Sequence, residues 1–433
     1  MAMTKAEILL AAKEHLFPAV IHYYDEPLVL DHAKDQYVWD ADGNQYLDFF
    51  GGIVTVSVGH GNDKVRAAVH AQVDKLMHVS TLFATEPQVA LAKTIAEKTP
   101  GQALSQAFFT NSGTEANETA INLARMHTGS SDIIALRHSY HGRTDAGRGM
   151  TGQSIWRGPL PTASGYTHIH PGYCYRCPFG LEYPSCELRC AHDAKEAIET
   201  TTSGHVAALI AEPILGSGGF ITPPKEYFKI VVDIVKQHGG IFISDEVQTG
   251  WGRTGKWFGI ENWGVTPEVM TFAKGLGNGL PIGATIAKPE VAKSLNYLTL
   301  STFGGNPVTN AAAKAVIDFV EEENLLANCE TVGAHLREKL LELQAKYPLI
   351  GDVRGMGLMQ ALELVEDRKS KAYAPKQTAK VMDAARREGL LIGKGGQHGN
   401  VLRISPPMNV SKADVDEFAR LLDRAFAQVP VGG

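Results

Sequence analysis

From about residue 60 to residue 310, short apolar runs alternate with stretches whose apolar positions recur at helical spacing. The runs include Ala107-Phe-Phe-Thr, Asp132-Ile-Ile-Ala-Leu, His205-Val-Ala-Ala-Leu-Ile-Ala-Glu and Gly240-Ile-Phe-Ile-Ser-Asp. They are apolar on both faces, and helical stretches such as Tyr227–His238 separate them. This pattern predicts an α/β fold built on a mostly parallel sheet covered on two sides. Residues 1–50 read as a helix and then short strands, with a hairpin around Asp42-Gly43. Beyond residue 305 the pattern predicts helices from Asn306 to Glu323 and around 325–347. A strand pair from Ile350, a strand at Val401-Leu-Arg-Ile-Ser and a closing helix Lys412–Gln428 follow. The chain then divides into an N-terminal segment 1–55 joining the small domain, a large domain 56–319 and a small α+β domain 320–433. Residues 151–195, rich in Gly, Pro, Cys and Tyr, read as an irregular loop of the length that usually carries function or an interface.

Composition changes this picture little. The 433 residues are 44% hydrophobic and 20% charged, with a formal net charge of -6. Those are values of a globular enzyme, and they offer no basic surface for nucleic acid or an anionic membrane. No apolar run is long enough to predict a transmembrane helix. The start, Met-Ala-Met-Thr-Lys-Ala-Glu-Ile-Leu-Leu, reads as an amphipathic helix rather than a signal peptide, so cytoplasmic placement is expected. Cys174, Cys177, Cys186 and Cys190 follow the spacing C-x2-C-x8-C-x3-C. That spacing is compatible with four-thiolate zinc, with reduced thiols lining a compact loop, or with a disulfide pair. No metal is assigned on that basis.

The candidate chemistry sits where apolar runs end. Lys274 lies in Thr271-Phe-Ala-Lys-Gly-Leu-Gly-Asn-Gly, and Asp245 ends the run before it. A lysine among small residues is ordinarily a surface charge, but an acid at a strand end gives it a partner role. The pair suits pyridoxal phosphate: the amine forms a Schiff base, and the acid keeps the pyridine nitrogen protonated. Ser112 and Glu115 fit a capping box, with Ala116, Ala120 and Ala124 on one close-packing helix face. Gly113 lets a ligand approach the helix N-terminus, which favours an anion. Tyr140 offers a face to a planar ring and Arg143 a fork to a carboxylate, though packing and a surface charge explain each as well. Glu212, Asp245 and the residues after Phe109 all reach one edge of the predicted sheet, the usual ligand crevice.

Together these motifs resemble the class III aminotransferases. Asn111-Ser-Gly-Thr-Glu-Ala-Asn-Glu, Tyr140-His-Gly-Arg, Asp245-Glu-Val-Gln-Thr-Gly, Ala273-Lys-Gly and Thr302-Phe-Gly-Gly-Asn-Pro occur in that family's order, and the likeness runs from about residue 20 to 428. Tyr46-Leu-Asp-Phe-Phe-Gly-Gly-Ile, Gly351-Asp-Val-Arg-Gly-Met-Gly-Leu-Met and Leu402-Arg-Ile-Ser-Pro-Pro-Met resemble its alanine–glyoxylate aminotransferase 2 group. The resemblance implies a fold-type I homodimer, or a dimer of such dimers, with active sites at the subunit interface. It implies Lys274 as Schiff-base lysine, Asp245 as pyridinium partner, Gln248 at the cofactor O3′ and Tyr140 on its ring. Gly113 and Thr114 would bind phosphate, with Thr302 reaching in from the neighbouring subunit. Ser112, His141 and Glu212 complete the expected cofactor site. Arg403 would clamp a substrate carboxylate, with Ile53 in the pocket wall.

The implied reaction is ping-pong transfer of an amino group from alanine, β-alanine or another ω-amino acid to glyoxylate, pyruvate or 2-oxoglutarate. Ser217 stands where 4-aminobutyrate aminotransferases carry a glutamate able to pair with the clamp arginine, which leaves Arg403 free for a carboxylate beside the reacting carbon. Arg143 is shared with the 4-aminobutyrate and ornithine enzymes, so a 4-aminobutyrate-type activity stays open, as does a decarboxylase, lyase or racemase on the same scaffold.

Overall fold

The computed structural model describes residues 3–20 and 22–429. After a helix at Lys5–His15 come three short antiparallel strands, β1 (Leu30–Lys34), β2 (Tyr37–Asp40) and β3 (Gln45–Asp48). β2 and β3 form the hairpin expected around Asp42-Gly43, with residues 41–44 as its connection. The Asp40 carboxylate organises it, accepting from the Asp42 and Asn44 N–H groups, the Asn44 side chain and the Tyr46 hydroxyl.

Seven strands form the central sheet: β4 (Gln106–Thr110), β5 (Ile133–Leu136), β6 (Tyr166–Ile169), β7 (Ala208–Ala211), β8 (Ile241–Asp245), β9 (Val269–Phe272) and β10 (Gly283–Ala287). Their order is β4-β10-β9-β8-β7-β5-β6. Every pair is parallel except those of β10, which runs antiparallel to both neighbours. The carboxyl ends of the other six strands therefore share one edge, and β5, β7, β8 and β9 are buried on both faces. β6 corrects the reading of 151–195 as one irregular loop. Its Tyr-Thr-His-Ile sequence is only half apolar because it is an edge strand, so it carries no two-faced apolar run.

The last third contributes β11 (Ile350–Met356), β12 (Met359–Leu364), β13 (Leu390–Leu391), β14 (Gly393–Gly395) and β15 (Val401–Ile404). β11, β12, β15 and β14 form an antiparallel sheet, while β13 returns to pair in parallel with β3. The long helices run Pro307–Glu322, Leu325–Lys346 and Lys412–Ala427, within a residue or two of the expected bounds. One apolar core lies on the central sheet, around Phe228, Phe242, Phe272 and Trp251. Another joins Leu47, Phe49 and Val58 to Leu336, Leu362 and Phe418, with Phe49 stacked on Phe418 at 4.4 Å. Among the described residues, no helix is long and apolar enough to cross a membrane.

Candidate active site

The strand edge holds a cavity of about 110 Å³. Its walls come from five segments, each placed by its own local rule. The helix Gly113–Thr128 starts at Ser112, whose hydroxyl accepts from the Glu115 N–H at 3.3 Å, and Gly113 and Thr114 face the cavity. The Glu115 carboxylate accepts from the Asn111 N–H at 2.7 Å rather than from the Ser112 N–H, so the expected reciprocal capping box is shifted by one residue. Ala116, Ala120 and Ala124 are fully buried against the sheet. Gly142 has φ +137°, and a Cβ there would stand 2.6 Å from the Thr114 hydroxyl, so only glycine lets this loop close over the helix start.

Tyr140 and His141 follow β5, Glu212 follows β7, Asp245 ends β8, and Gln248 and Lys274 lie beyond β8 and β9. Asp245 is almost fully buried. Its Oδ2 accepts from Asn117 Nδ2 at 2.8 Å and meets His141 Nδ1 at 2.7 Å, while Oδ1 accepts from the Val247 N–H at 3.1 Å. Glu212 accepts from the N–H groups of Tyr140 and Gly216, both at 2.8 Å. It thereby ties the Tyr140 loop to the glycine turn that carries Ser217. Burial, joined by the charge of Asp245, pushes the Glu212 carboxyl above its usual range, and His141 opposes that shift. The Gln248 side chain lies against Gly216, where a Cβ would come within 2.2 Å of its amide, and its Oε1 is buried without a partner. His141 Nε2 is likewise unpaired.

Lys274 adopts φ +43°, a costly conformation for a residue with a side chain. Burial pushes its amine below the ordinary lysine value, against the raising effect of the Asp245 and Glu212 charges. Lys274, Tyr140 and Gln248 wall both this cavity and a larger adjoining one of about 1190 Å³ that opens toward solvent. The larger cavity also takes in Ser217, Ile53 and Arg403. Arg403 is buried, with its guanidinium over Phe50 and Phe220 at 5.2 and 5.7 Å. Nε donates to the Lys394 carbonyl at 3.0 Å, and Nη1 has no partner.

Most residues expected from the sequence thus meet at these two cavities. Arg143 does not: it is exposed and outside the lining, and Arg148 and Arg157 reach the larger cavity instead. Thr302 is exposed and outside both linings, and Ser112 stands behind the first as a cap. The sequence motifs do not single out Asn117, Thr271, Tyr23 or Trp156, which also belong to the site or its support. Asn117 follows Gly113 by one helical turn and so shares its face, which is a usable signal. The four clustered cysteines line a separate void of about 10 Å³ and, like Cys329, are free thiols. Among the described residues, no three His, Cys, Asp or Glu side chains are grouped to hold a metal ion.

Residues 21–426 match the family model of the class-III aminotransferases. The chain is 41% identical to alanine–glyoxylate aminotransferase 2 homolog 2, mitochondrial, of Arabidopsis thaliana, over 98% of this chain and 87% of that protein. It is 40% identical to leucine/methionine racemase of Thermococcus litoralis, over 99% of this chain and 97% of the racemase. A solved amine transaminase from an uncultivated Pseudomonas species, in its pyridoxal-phosphate-bound form, matches with a TM-score of 0.90 at 32% identity. That match covers 96% of this chain and 98% of the other.

Proposed function

The chain belongs to the class-III aminotransferases, enzymes that use pyridoxal phosphate, and from that premise we propose that Lys274 and Asp245 are its cofactor-binding catalytic pair. The observation that carries this reading is the shared wall. Lys274 lines both a cavity walled by the anchored acid Asp245 and a larger cavity walled by Arg403, whose Nη1 has no partner. The donor set fits the cofactor. Gly113 and Thr114 offer a helix N-terminus to its phosphate, Gln248 an amide to its phenolic oxygen, and Tyr140 a face to its ring. Bound there, pyridoxal phosphate supplies an aldehyde for amines and an electron sink. Lys274, its amine kept neutral more readily by burial, would be the residue that holds the cofactor covalently. Its Nζ would also be the base placed to carry a proton from the substrate carbon. Asp245 would keep the ring nitrogen protonated.

Arg403 is the carboxylate clamp of this reading. It is a buried cation without an acidic partner among the described residues, and Ser217 beside it adds no charge. That favours substrates with a carboxylate next to the reacting carbon: alanine as donor, and glyoxylate, pyruvate or 2-oxoglutarate as acceptor. Arg157, and Arg148 beside its ion pair with Asp145, also line the cavity and suit the second carboxylate of the longest acceptor. Racemisation is the second reading, favoured by the racemase relative at nearly equal identity. We infer a homodimer from the exposed apolar run Tyr297, Leu298, Leu300 and Phe303 beside Thr302, a surface suited to a second subunit. Composition suits the cytoplasm, although the Arabidopsis relative is named as mitochondrial.

The test is a matrix of donors and acceptors with purified enzyme, run beside an assay of alanine inversion without acceptor. Transfer that requires an oxo acid is expected; inversion alone would replace this reading with racemisation. Lys274→Ala should lose both turnover and the borohydride-trapped lysine–cofactor adduct, and retention of either would remove Lys274 from its role.

A further inference from the structure

We propose that Asn117, set in place by Thr271, is a positioning residue that fixes the carboxylate of Asp245 for the cofactor ring. The inference rests on the reading of Asp245 given above. Asn117 lies in the helix Gly113–Thr128, Thr271 in β9, Asp245 at the end of β8 and His141 in the loop after β5. All four side chains are nearly or fully buried, so water cannot substitute freely for any bond that is lost.

The orientation of the Asn117 amide has one solution. Its Oδ1 accepts from the Thr271 hydroxyl at 2.7 Å, and its Nδ2 donates to Asp245 Oδ2 at 2.8 Å and to the His141 carbonyl at 3.1 Å. A flipped amide would set its oxygen against a carboxylate and a carbonyl, two acceptors that offer no hydrogen. These two acceptors select the orientation, Thr271 anchors the amide oxygen, and Asn117 thereby holds two groups at once. One is the acid; the other is the backbone of the loop that carries Tyr140. His141 also meets Asp245 Oδ2, through a ring nitrogen whose donor or acceptor role depends on the tautomer. The Asn117 amide nitrogen only donates, so it is the constant donor. Oδ1 is left with a single backbone donor, Val247, as the less occupied oxygen.

The experiment compares Asn117→Ala, Thr271→Val, Thr271→Ser and Asp245→Asn, all loaded with pyridoxal phosphate. Two quantities are read: the pH midpoint of the bound cofactor's absorbance, and the rate of the first half-reaction with saturating alanine. Asn117→Ala should slow the half-reaction roughly tenfold to a hundredfold and shift the absorbance midpoint, with the donor KM nearly unmoved. Thr271→Val should show a smaller change of the same kind, and Thr271→Ser, which keeps the hydroxyl, should recover most of it. Combining Asn117→Ala with Thr271→Val should add nothing to Asn117→Ala alone, because both act along one path. A normal rate and midpoint in Asn117→Ala, beside a crippled Asp245→Asn, overturns this inference and leaves the cofactor reading intact. A normal Asp245→Asn overturns both. Should Asn117→Ala not fold, the contrast between Thr271→Val and Thr271→Ser decides, and equal behaviour of those two sinks the proposal.

Discussion

At the scale of the residue, the proposed choice of substrate turns on one side chain, Arg403. Its guanidinium is held between Phe50 and Phe220, and burial lowers its pKa while Tyr23 and Glu212 raise it. With Nε committed to Lys394 and Nη1 unpaired, a carboxylate is the natural occupant of the remaining donors. Arg403→Ala should lower kcat/KM for pyruvate by roughly a hundredfold, as expected for losing a charge-assisted, two-point contact. An acceptor aldehyde without that carboxylate should lose far less, and steady-state kinetics on the pair separates the two. Arg403→Lys keeps the charge without the planar fork and should fall between them. An equal loss on both acceptors would mean that Arg403 supports the fold rather than the substrate. Arg403 is legible from Leu-Arg-Ile-Ser-Pro-Pro-Met; its aromatic cage is not, because Phe50 and Phe220 come from distant segments. Arg143 shows the converse limit. A motif supplies the residue type, but the direction of the side chain depends on how the loop packs, and here it faces solvent.

At the scale of elements, Pro307–Glu322 and Lys412–Ala427 are legible almost to the residue because each pairs an amphipathic period with a cap, Asn306 in the one and Ser411 in the other. Two-faced apolar strands are equally plain, whereas the edge strand β6 lacks that signature. Close approaches between elements are not legible, and Gly333 is the clearest. In the helix Leu325–Lys346 it packs on the β11–β12 turn, where an added Cβ would lie 2.5 Å from the Gly357 backbone. Gln360 spans the contact, donating to the Gly333 and Gly357 carbonyls at 2.6 and 2.9 Å. Helix propensity favours Ala over Gly by roughly 1 kcal/mol. Overpacking against rigid backbone costs about 1–3 kcal/mol, so the clash should win. Gly333→Ala is therefore expected to lower the urea midpoint, and a stabilised variant would show that the hairpin yields.

At the scale of the whole molecule, buried groups are expected to move stability between pH 4 and 7 in opposite directions. His138 and His168 are pushed down to about 4, chiefly by burial, from an ordinary value of 6.5. As pH falls from about 6.5 toward 4, the unfolded chain takes up protons that these folded imidazoles refuse, so both groups erode stability across that window. Glu246 is pushed up to about 7 by burial, despite hydrogen bonds from Ser244, Thr249 and the Gly259 and Ile260 N–H groups. Its folded form takes up a proton before its unfolded form does, so it adds stability as pH falls from about 7 toward 4.5. These contributions partly cancel in the intact protein and become visible when one is removed. His168→Asn deletes one eroding group, so its stability relative to the parent should climb as pH falls from about 6.5 to 4. The limiting slope for a single proton is about 1.4 kcal/mol per pH unit. Glu246→Gln should drift the other way, losing ground to the parent as pH falls from about 7 to 4.5. Urea denaturation of the three proteins across that range reads both trends. Parallel curves for His168→Asn and its parent would mean that His168 is protonated in the folded state despite its burial.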